Sequence, residues 1–241
     1  MKSLKILIVG SLMLFGLNIN AQENSVVTNS NGWYMYSGTH RLNDTWGLHT
    51  LSHVRRNNII TDWQQSLNRI GLTYRFKNGA QGAFGYDYVL TYPYGDLPIS
   101  EKKRTHAIWE TITLKQDVGV FKISHRYRLE QLFTTTLSEI DYKFSNRFRY
   151  MLSTSVNIKE DYFIAFFDEV FISFGENVTS NNLNQNRIYL GFGKKINNGN
   201  IQIGYMNQLI KKGPSALFEM DNTLMLGLNY NFDFSKHTNR K

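Results

Sequence analysis

The chain has no cysteine among its 241 residues, so neither a disulfide nor a thiolate metal site holds it together. Proline occurs only 3 times, and the acids (19) are fewer than the bases (27). There is no low-complexity tract, no compositional domain boundary and no long helical period, which leaves one non-helical domain. After residue 17 no stretch is apolar enough for a transmembrane helix, which needs about 20 such residues. What the chain has instead is aromatic side chains, 16 Phe, 14 Tyr and 4 Trp, and a formal charge of +8.

The first residues explain part of that charge. Met1-Lys2-Ser3-Leu4-Lys5 is a short positive segment, and Ile6 to Leu17 is an apolar run broken by Gly10, Ser11 and Gly16. Ile19-Asn20-Ala21 places a small residue at a cleavage position, so residues 1–21 read as a signal peptide and 22–241 as the exported domain. No cysteine follows the run, which excludes a lipid-anchored lipoprotein. In a cytosolic protein the basic balance would point to nucleic acid. In an exported one it does not, and here the charges are spread one or two per strand.

The strands carry the address. Phe121-Lys122-Ile123-Ser124-His125-Arg126-Tyr127-Arg128-Leu129 alternates at the two-residue period, with Phe, Ile, His, Tyr and Leu on one face and Lys, Ser, Arg and Arg on the other. A soluble sandwich does not point a row of cations into its core. A strand with lipid outside and a wet lumen inside has both faces. The pattern recurs: Leu224, Leu226, Leu228, Tyr230, Phe232 and Phe234 oppose Met225, Gly227, Asn229, Asn231 and Asp233. Two strands resist it. Phe166-Phe167-Asp168-Glu169-Val170 cannot keep both acids inward without a bulge, and Trp63 to Phe76 changes face partway.

Eleven clear strands can be counted from Trp33 to Phe234. Short turns such as Lys77-Asn78-Gly79 and Asn197-Asn198-Gly199 alternate with longer polar connections such as Pro93 to Arg104. Bacterial single-chain barrels usually have an even number of strands. A short opening strand near Ser25 to Thr28 would complete twelve, and ten, with the start of the chain folded elsewhere, is the alternative. The expected fold is therefore all-β: an antiparallel up-and-down transmembrane β-barrel in a bacterial outer membrane.

Charged residues expected to line the lumen are Arg126, Arg128, Glu130, Arg147, Arg149, Glu169 and Arg187, on strands that neighbour one another in a meander. They read either as a basic track for anionic solutes or as interior ion pairs, with Asp87, Asp168, Glu169 and Glu130 as partners. His49 and His53 share a face but stand about 13 Å apart along the strand, too far for one metal. Ser124 and His125 are adjacent and so face opposite sides, which rules out a dyad between them. His106, with Ser100 and Glu101 nearby, is the better base for a lipid-acting enzyme. Trp33, Tyr34, Trp63, Tyr92, Tyr94, Trp109, Tyr142, Tyr162, Phe232 and Phe234 fall near strand ends, where aromatic girdles sit.

Eight segments carry a resemblance: Trp33-Tyr34-Met35-Tyr36, Trp46-Gly47-Leu48-His49, Asp62-Trp63-Gln64-Gln65, Thr91-Tyr92-Pro93-Tyr94-Gly95, His125 to Gln131, Asn146-Arg147-Phe148-Arg149-Tyr150, Phe167-Asp168-Glu169 and Asn184-Gln185-Asn186-Arg187. Through them the chain resembles a family of Gram-negative outer-membrane barrels catalogued as a domain of unknown function (number twenty-four ninety). The resemblance implies a barrel and supplies no activity. Such barrels usually end on an aromatic residue, whereas seven residues follow Phe234 here. The expected function is that of an integral outer-membrane protein of unassigned, non-enzymatic role, without cofactor or metal. Its partners would be outer-membrane lipids, lipopolysaccharide and, during insertion, the barrel-assembly machinery. The alternatives are a narrow arginine-lined passive channel for anionic small solutes or oligosaccharides, and a lipid-acting outer-membrane enzyme.

Overall fold

A strand whose side chains alternate between polar and large apolar groups separates two environments, and here eleven strands do so by closing on themselves. The computed structural model describes residues 25–178, 182–212 and 217–235. The expected signal peptide and most of the tail after Phe234 lie outside them. The strands are β1 (Ser25–Arg41), β2 (Trp46–Asn57), β3 (Asp62–Arg75), β4 (Gln81–Thr91), β5 (Lys103–Val118), β6 (Phe121–Thr136), β7 (Lys143–Lys159), β8 (Tyr162–Phe174), β9 (Leu183–Ile196), β10 (Gly199–Lys211) and β11 (Leu217–Tyr230). Each pairs with its sequence neighbours, and β1 pairs with β11, so the sheet is a closed barrel with no free edge. Among the described residues no helix is long and apolar enough to cross a membrane, a criterion that says nothing of barrels.

The count is eleven, not twelve. The opening segment Ser25 to Thr28 is not a separate strand but the start of β1. The polar stretch Asn29-Ser30-Asn31-Gly32, which has turn composition, runs straight because its surroundings hold it. Asn29 donates through Nδ2 to Asp221 (2.9 Å). Gly32 lets the Ile59 carbonyl approach so closely that a Cβ there would lie 2.1 Å from its oxygen. Parity then dictates the seam. Each step of an up-and-down meander reverses direction, so an odd count leaves the first and last strands parallel. β1 and β11 indeed pair in parallel from Ser25↔Leu217 to Ser37↔Asn229. Past that ladder, Arg41 N–H donates to the Phe232 carbonyl (2.8 Å) and Phe234 N–H to the Arg41 carbonyl (2.9 Å). Consequently β1 begins at the mouth with the longer connections and β11 ends at the mouth with the short turns.

The inside and outside of this barrel invert the usual globular arrangement. Among the described residues 20 polar or charged residues are buried against 8 hydrophobic ones, while 40 large hydrophobics are exposed. Leu224, Leu226 and Leu228 of β11, Ile188, Leu190 and Phe192 of β9 and Ile201, Ile203 and Tyr205 of β10 belong to this outer belt.

The two awkward strands resolve differently. The register of β2 on β3 steps from Arg55↔Gln65 to Arg56↔Trp63, so Gln64 is an extra residue. That bulge turns Gln64 into the lumen and explains the change of face. No bulge rescues both acids of β8. Glu169 points inward and is 3% exposed. Asp168 lies on the opposite face, accepting from Asn186 Nδ2 (2.6 Å).

Candidate functional site

All seven charged residues expected in the lumen meet in one layer across the barrel, carried by β6, β7, β8 and β9. Glu130 accepts from Arg147 Nε (2.6 Å) and Arg149 Nη1 (2.8 Å), with Arg128 Nη1 3.8 Å away. Glu169 accepts from Arg126 Nη2 (2.6 Å) and Arg149 Nε (2.9 Å), with Arg187 Nη1 at 3.7 Å. Arg149, between them on β7, bridges the two glutamates. A third carboxylate belongs to the same layer. Asp87 takes both arms of Arg69 (2.7 and 2.5 Å) and the indole N–H of Trp109 (2.6 Å). Pairing and hydrogen bonding stabilise buried ions of this kind, and bidentate geometry suits guanidinium to that task.

Aromatic rings fill the gaps between the arginines. Arg69 and Arg128 lie 5.0 and 4.7 Å from the Trp109 ring centre. Arg149 and Arg187 lie 4.4 and 4.6 Å from Phe171. Arg55 and Arg187 lie 3.8 and 5.0 Å from Trp33. Stacking of this kind stabilises a desolvated cation by about 2 kcal/mol. Even so the charges do not balance: seven arginines, counting Arg55 and Arg69, face Asp87, Glu130 and Glu169, an excess of four positive charges.

The layer divides the lumen. Towards the short turns lies a cavity of about 720 Å³, and towards the longer connections one of about 310 Å³. Arg55, Leu67, Arg149 and Arg187 line both, so their side chains form the partition.

The smaller cavity is roofed by the connection between β4 and β5. Tyr94 reaches in and donates its hydroxyl to Glu219 Oε1 (2.6 Å), 3.3 Å from Asp221 Oδ2. Asp221 also accepts from Asn29, Gln64 (3.2 Å) and Gln208 (3.1 Å). Lys212 Nζ sits 2.7 Å from Glu219. Gly95 has φ +63° and presses on the Asn29 amide, so both backbone and space call for glycine there. Burial and the neighbouring Asp221 and Glu219 carboxylates push the Tyr94 hydroxyl well above the ordinary phenol range, so it stays a donor.

Several other expectations change. Trp33 and Trp109, read as girdle residues, are buried in the lumen at 2% and 0% exposure. Tyr94 also points inward, whereas Trp63, Tyr142, Tyr162, Phe232 and Phe234 are exposed. Asp168 cannot partner the interior arginines from the outer face. His106 does not meet Ser100 or Glu101. Its Nδ1 and Nε2 contact the Tyr86 and Tyr142 hydroxyls (2.5 and 3.2 Å). His125 contacts Tyr150 (2.9 Å) while Ser124 lines the larger cavity, on the other side of the wall. Among the described residues no group of three or more His, Asp or Glu is placed to hold a metal.

Arg55, Arg69, Glu219 and Asp221 were not singled out by sequence reasoning. Arg69 shares its face with Leu67, Gly71 and Thr73 by alternation, but the change of face along this strand leaves open which phase points inward until the bulge is placed at Gln64. Glu219 and Asp221 continue the phase of the inward Thr223 and Met225, a signal that shows only once β11 is seen to begin at Leu217.

No curated protein and no solved structure matches the chain. A family model described as "Protein of unknown function (DUF2490)" matches residues 30–218, from β1 into β11 and through the whole arginine layer, so the chain belongs to that family.

Proposed function

We propose that this protein is an integral outer-membrane barrel of non-enzymatic role, its short turns on the periplasmic side and its lumen closed to free passage by the arginine–carboxylate layer. The observation that carries the reading is the inverted surface, with apolar side chains outside and ions inside. The strands are 11 to 17 residues long, enough to cross a bilayer tilted, which takes about 9–11. The N-terminal segment 1–21, read as a signal peptide, supports export. Lipids and lipopolysaccharide would contact the belt, and the barrel-assembly machinery would insert it.

Membrane fractionation of the full chain, with a gel-mobility comparison of heated and unheated samples, tests the proposal. Recovery in the outer membrane and a heat-dependent shift are expected. Recovery as a soluble periplasmic protein without a shift would overturn it. Leu226→Arg sharpens the test: on a lipid face it should cost about 2–4 kcal/mol near mid-bilayer, and on a wet face almost nothing.

The excess of four positive charges favours a second reading, a narrow passive channel for anionic small solutes or oligosaccharides. Planar-bilayer recording decides between them. Single-channel steps whose anion selectivity falls in Arg147→Ala and Arg149→Ala would establish the channel, and no steps at all would leave the closed barrel.

A further inference from the structure

The larger cavity is lined by two chemically distinct sets of side chains. One is apolar and deformable, made of Met35, Leu51, Phe163, Phe167, Met206 and Met225. Methionine adapts its shape to what it touches. The other is cationic: Arg55, Arg69, Arg126, Arg149 and Arg187 together with Lys115, Lys122 and Lys195, against only Asp117 and Glu169. These arginines share partners rather than each having its own. Arg55 and Arg187 share the Trp33 ring, and Arg187 and Arg126 share Glu169.

Two polar atoms of the cavity lining are buried without a hydrogen-bond partner, Arg126 Nε and His53 Nε2. The Arg55 Nε–H donates to His53 Nδ1 (3.4 Å), so that nitrogen carries no proton and Nε2–H is the donor. Both orphans are therefore donors, beside an excess of cations. Each of these buried donors lacks an acceptor, and an acceptor-rich group held against the arginines is the complement this end of the cavity calls for. The volume of about 720 Å³ is that of a small-molecule site.

We propose that this cavity binds an amphipathic organic anion. Its phosphate or carboxylate head lies against Arg55, Arg126, Arg187 and His53, and its apolar body runs along the methionine-rich set. Lys115, Lys122 and Lys195, nearer the short turns, draw the anion in from that mouth. Binding itself is independent of membrane insertion. Only the identification of that mouth with the periplasm rests on the outer-membrane reading.

Calorimetric titration of the full-length protein in dodecyl maltoside tests this, with tryptophan fluorescence as a second readout. The probes are octyl phosphate and octanoate, with octanol as the uncharged control and inorganic phosphate as the head alone. A heat-dependent gel shift verifies that each variant is folded, which separates loss of the site from loss of the barrel. Saturable binding of one or both octyl anions is expected, at least ten-fold tighter than octanol or inorganic phosphate. The tighter of the two octyl anions names the head group. Arg55→Gln removes the charge that has no carboxylate partner and should weaken binding at least ten-fold. Gly227→Leu fills the cavity from a position where a Cβ meets only Met35 Cε, at 3.6 Å, and should abolish binding. Octanol binding as tightly as the anions, inorganic phosphate matching octyl phosphate, or a folded Gly227→Leu protein with unchanged affinity would each overturn the proposal.

Discussion

The two sides of the charged layer use arginine in opposite ways. On β6, β7 and β8, Arg126, Arg147 and Arg149 are held at 2.9 Å or less by Glu130 and Glu169. On β2, Arg55 has the Gln65 amide oxygen (2.6 Å), His53 and the face of Trp33, with no carboxylate in contact. The same guanidinium is thus a structural tie on one side and an uncompensated charge on the other. A fully paired interior only needs to be stable. An interior paired on one side and charged on the other holds a potential that something anionic can use.

Glu130 is the place to break the paired side. Glu130→Gln would leave Arg128 and Arg147 with an amide oxygen in place of a carboxylate and Arg149 with Glu169 alone, and stranding buried charge in this way costs about 3–5 kcal/mol. Urea unfolding in lipid vesicles, followed by tryptophan fluorescence, should show that loss. A change under 1 kcal/mol would mean that water already screens the layer. Arg69→Leu comes next, at about 3 kcal/mol, because Asp87 keeps only the Trp109 N–H among its close partners. Adding Asp87→Leu should recover much of the loss, and the double-mutant cycle reads the coupling directly.

Much of this comparison is legible in the sequence, and the part that is not has physical causes. Alternation places Arg126, Arg128, Glu130, Arg147, Arg149 and Arg187 on the inner face because a period of two has one phase on either side of an unbroken strand. It fails where the phase slips. The extra residue at Gln64 changes the face of β3, so the strand offers no single phase by which to place Arg69, the partner of Asp87, inside. It also fails where composition misleads. Asn29 to Gly32 has the composition of a turn, yet it runs on as part of β1, paired with β11 and with Asn29 bonded to Asp221, 192 residues away. Trp109 looks like an interfacial girdle residue until Gly71 and Gly85 make room for its ring, where a Cβ would come within 2.7 and 2.4 Å. The unpaired side of the layer is the least legible, since Trp33 of β1 takes Arg55 from the neighbouring β2 on one side and Arg187 from the distant β9 on the other.

The roof of the smaller cavity gives a weaker but pH-resolved comparison. Tyr94→Phe removes a hydrogen bond to a carboxylate and should cost about 1–2 kcal/mol. The hydroxyl's pKa is raised on folding, so the folded state keeps a proton that the unfolded chain releases above about pH 10. The Tyr94 contribution is therefore fully present below that pH and declines as pH rises beyond it. The stability difference between wild type and Tyr94→Phe should be flat from about pH 6 to pH 9 and shrink above about pH 10. A difference that grows with alkalinity would contradict the contact.

Arg55→Gln should have the smallest effect on stability, and for that reason it sharpens the comparison most. If Arg55 were a structural tie like Arg149, its removal would cost several kcal/mol. It has no carboxylate to strand, and its departure removes a like charge from beside Arg187. What it gives up is the Gln65 hydrogen bond and the stacking on Trp33, each about 1 kcal/mol, and those losses are offset by the relieved desolvation of an unpaired ion. Unfolding in vesicles should therefore place Arg55→Gln within about 1 kcal/mol of wild type, next to a loss several times larger for Glu130→Gln. A stability loss equal to that of Glu130→Gln would show that the two sides of the layer are alike. Near-wild-type stability would mark Arg55 as a charge that the fold carries without needing it.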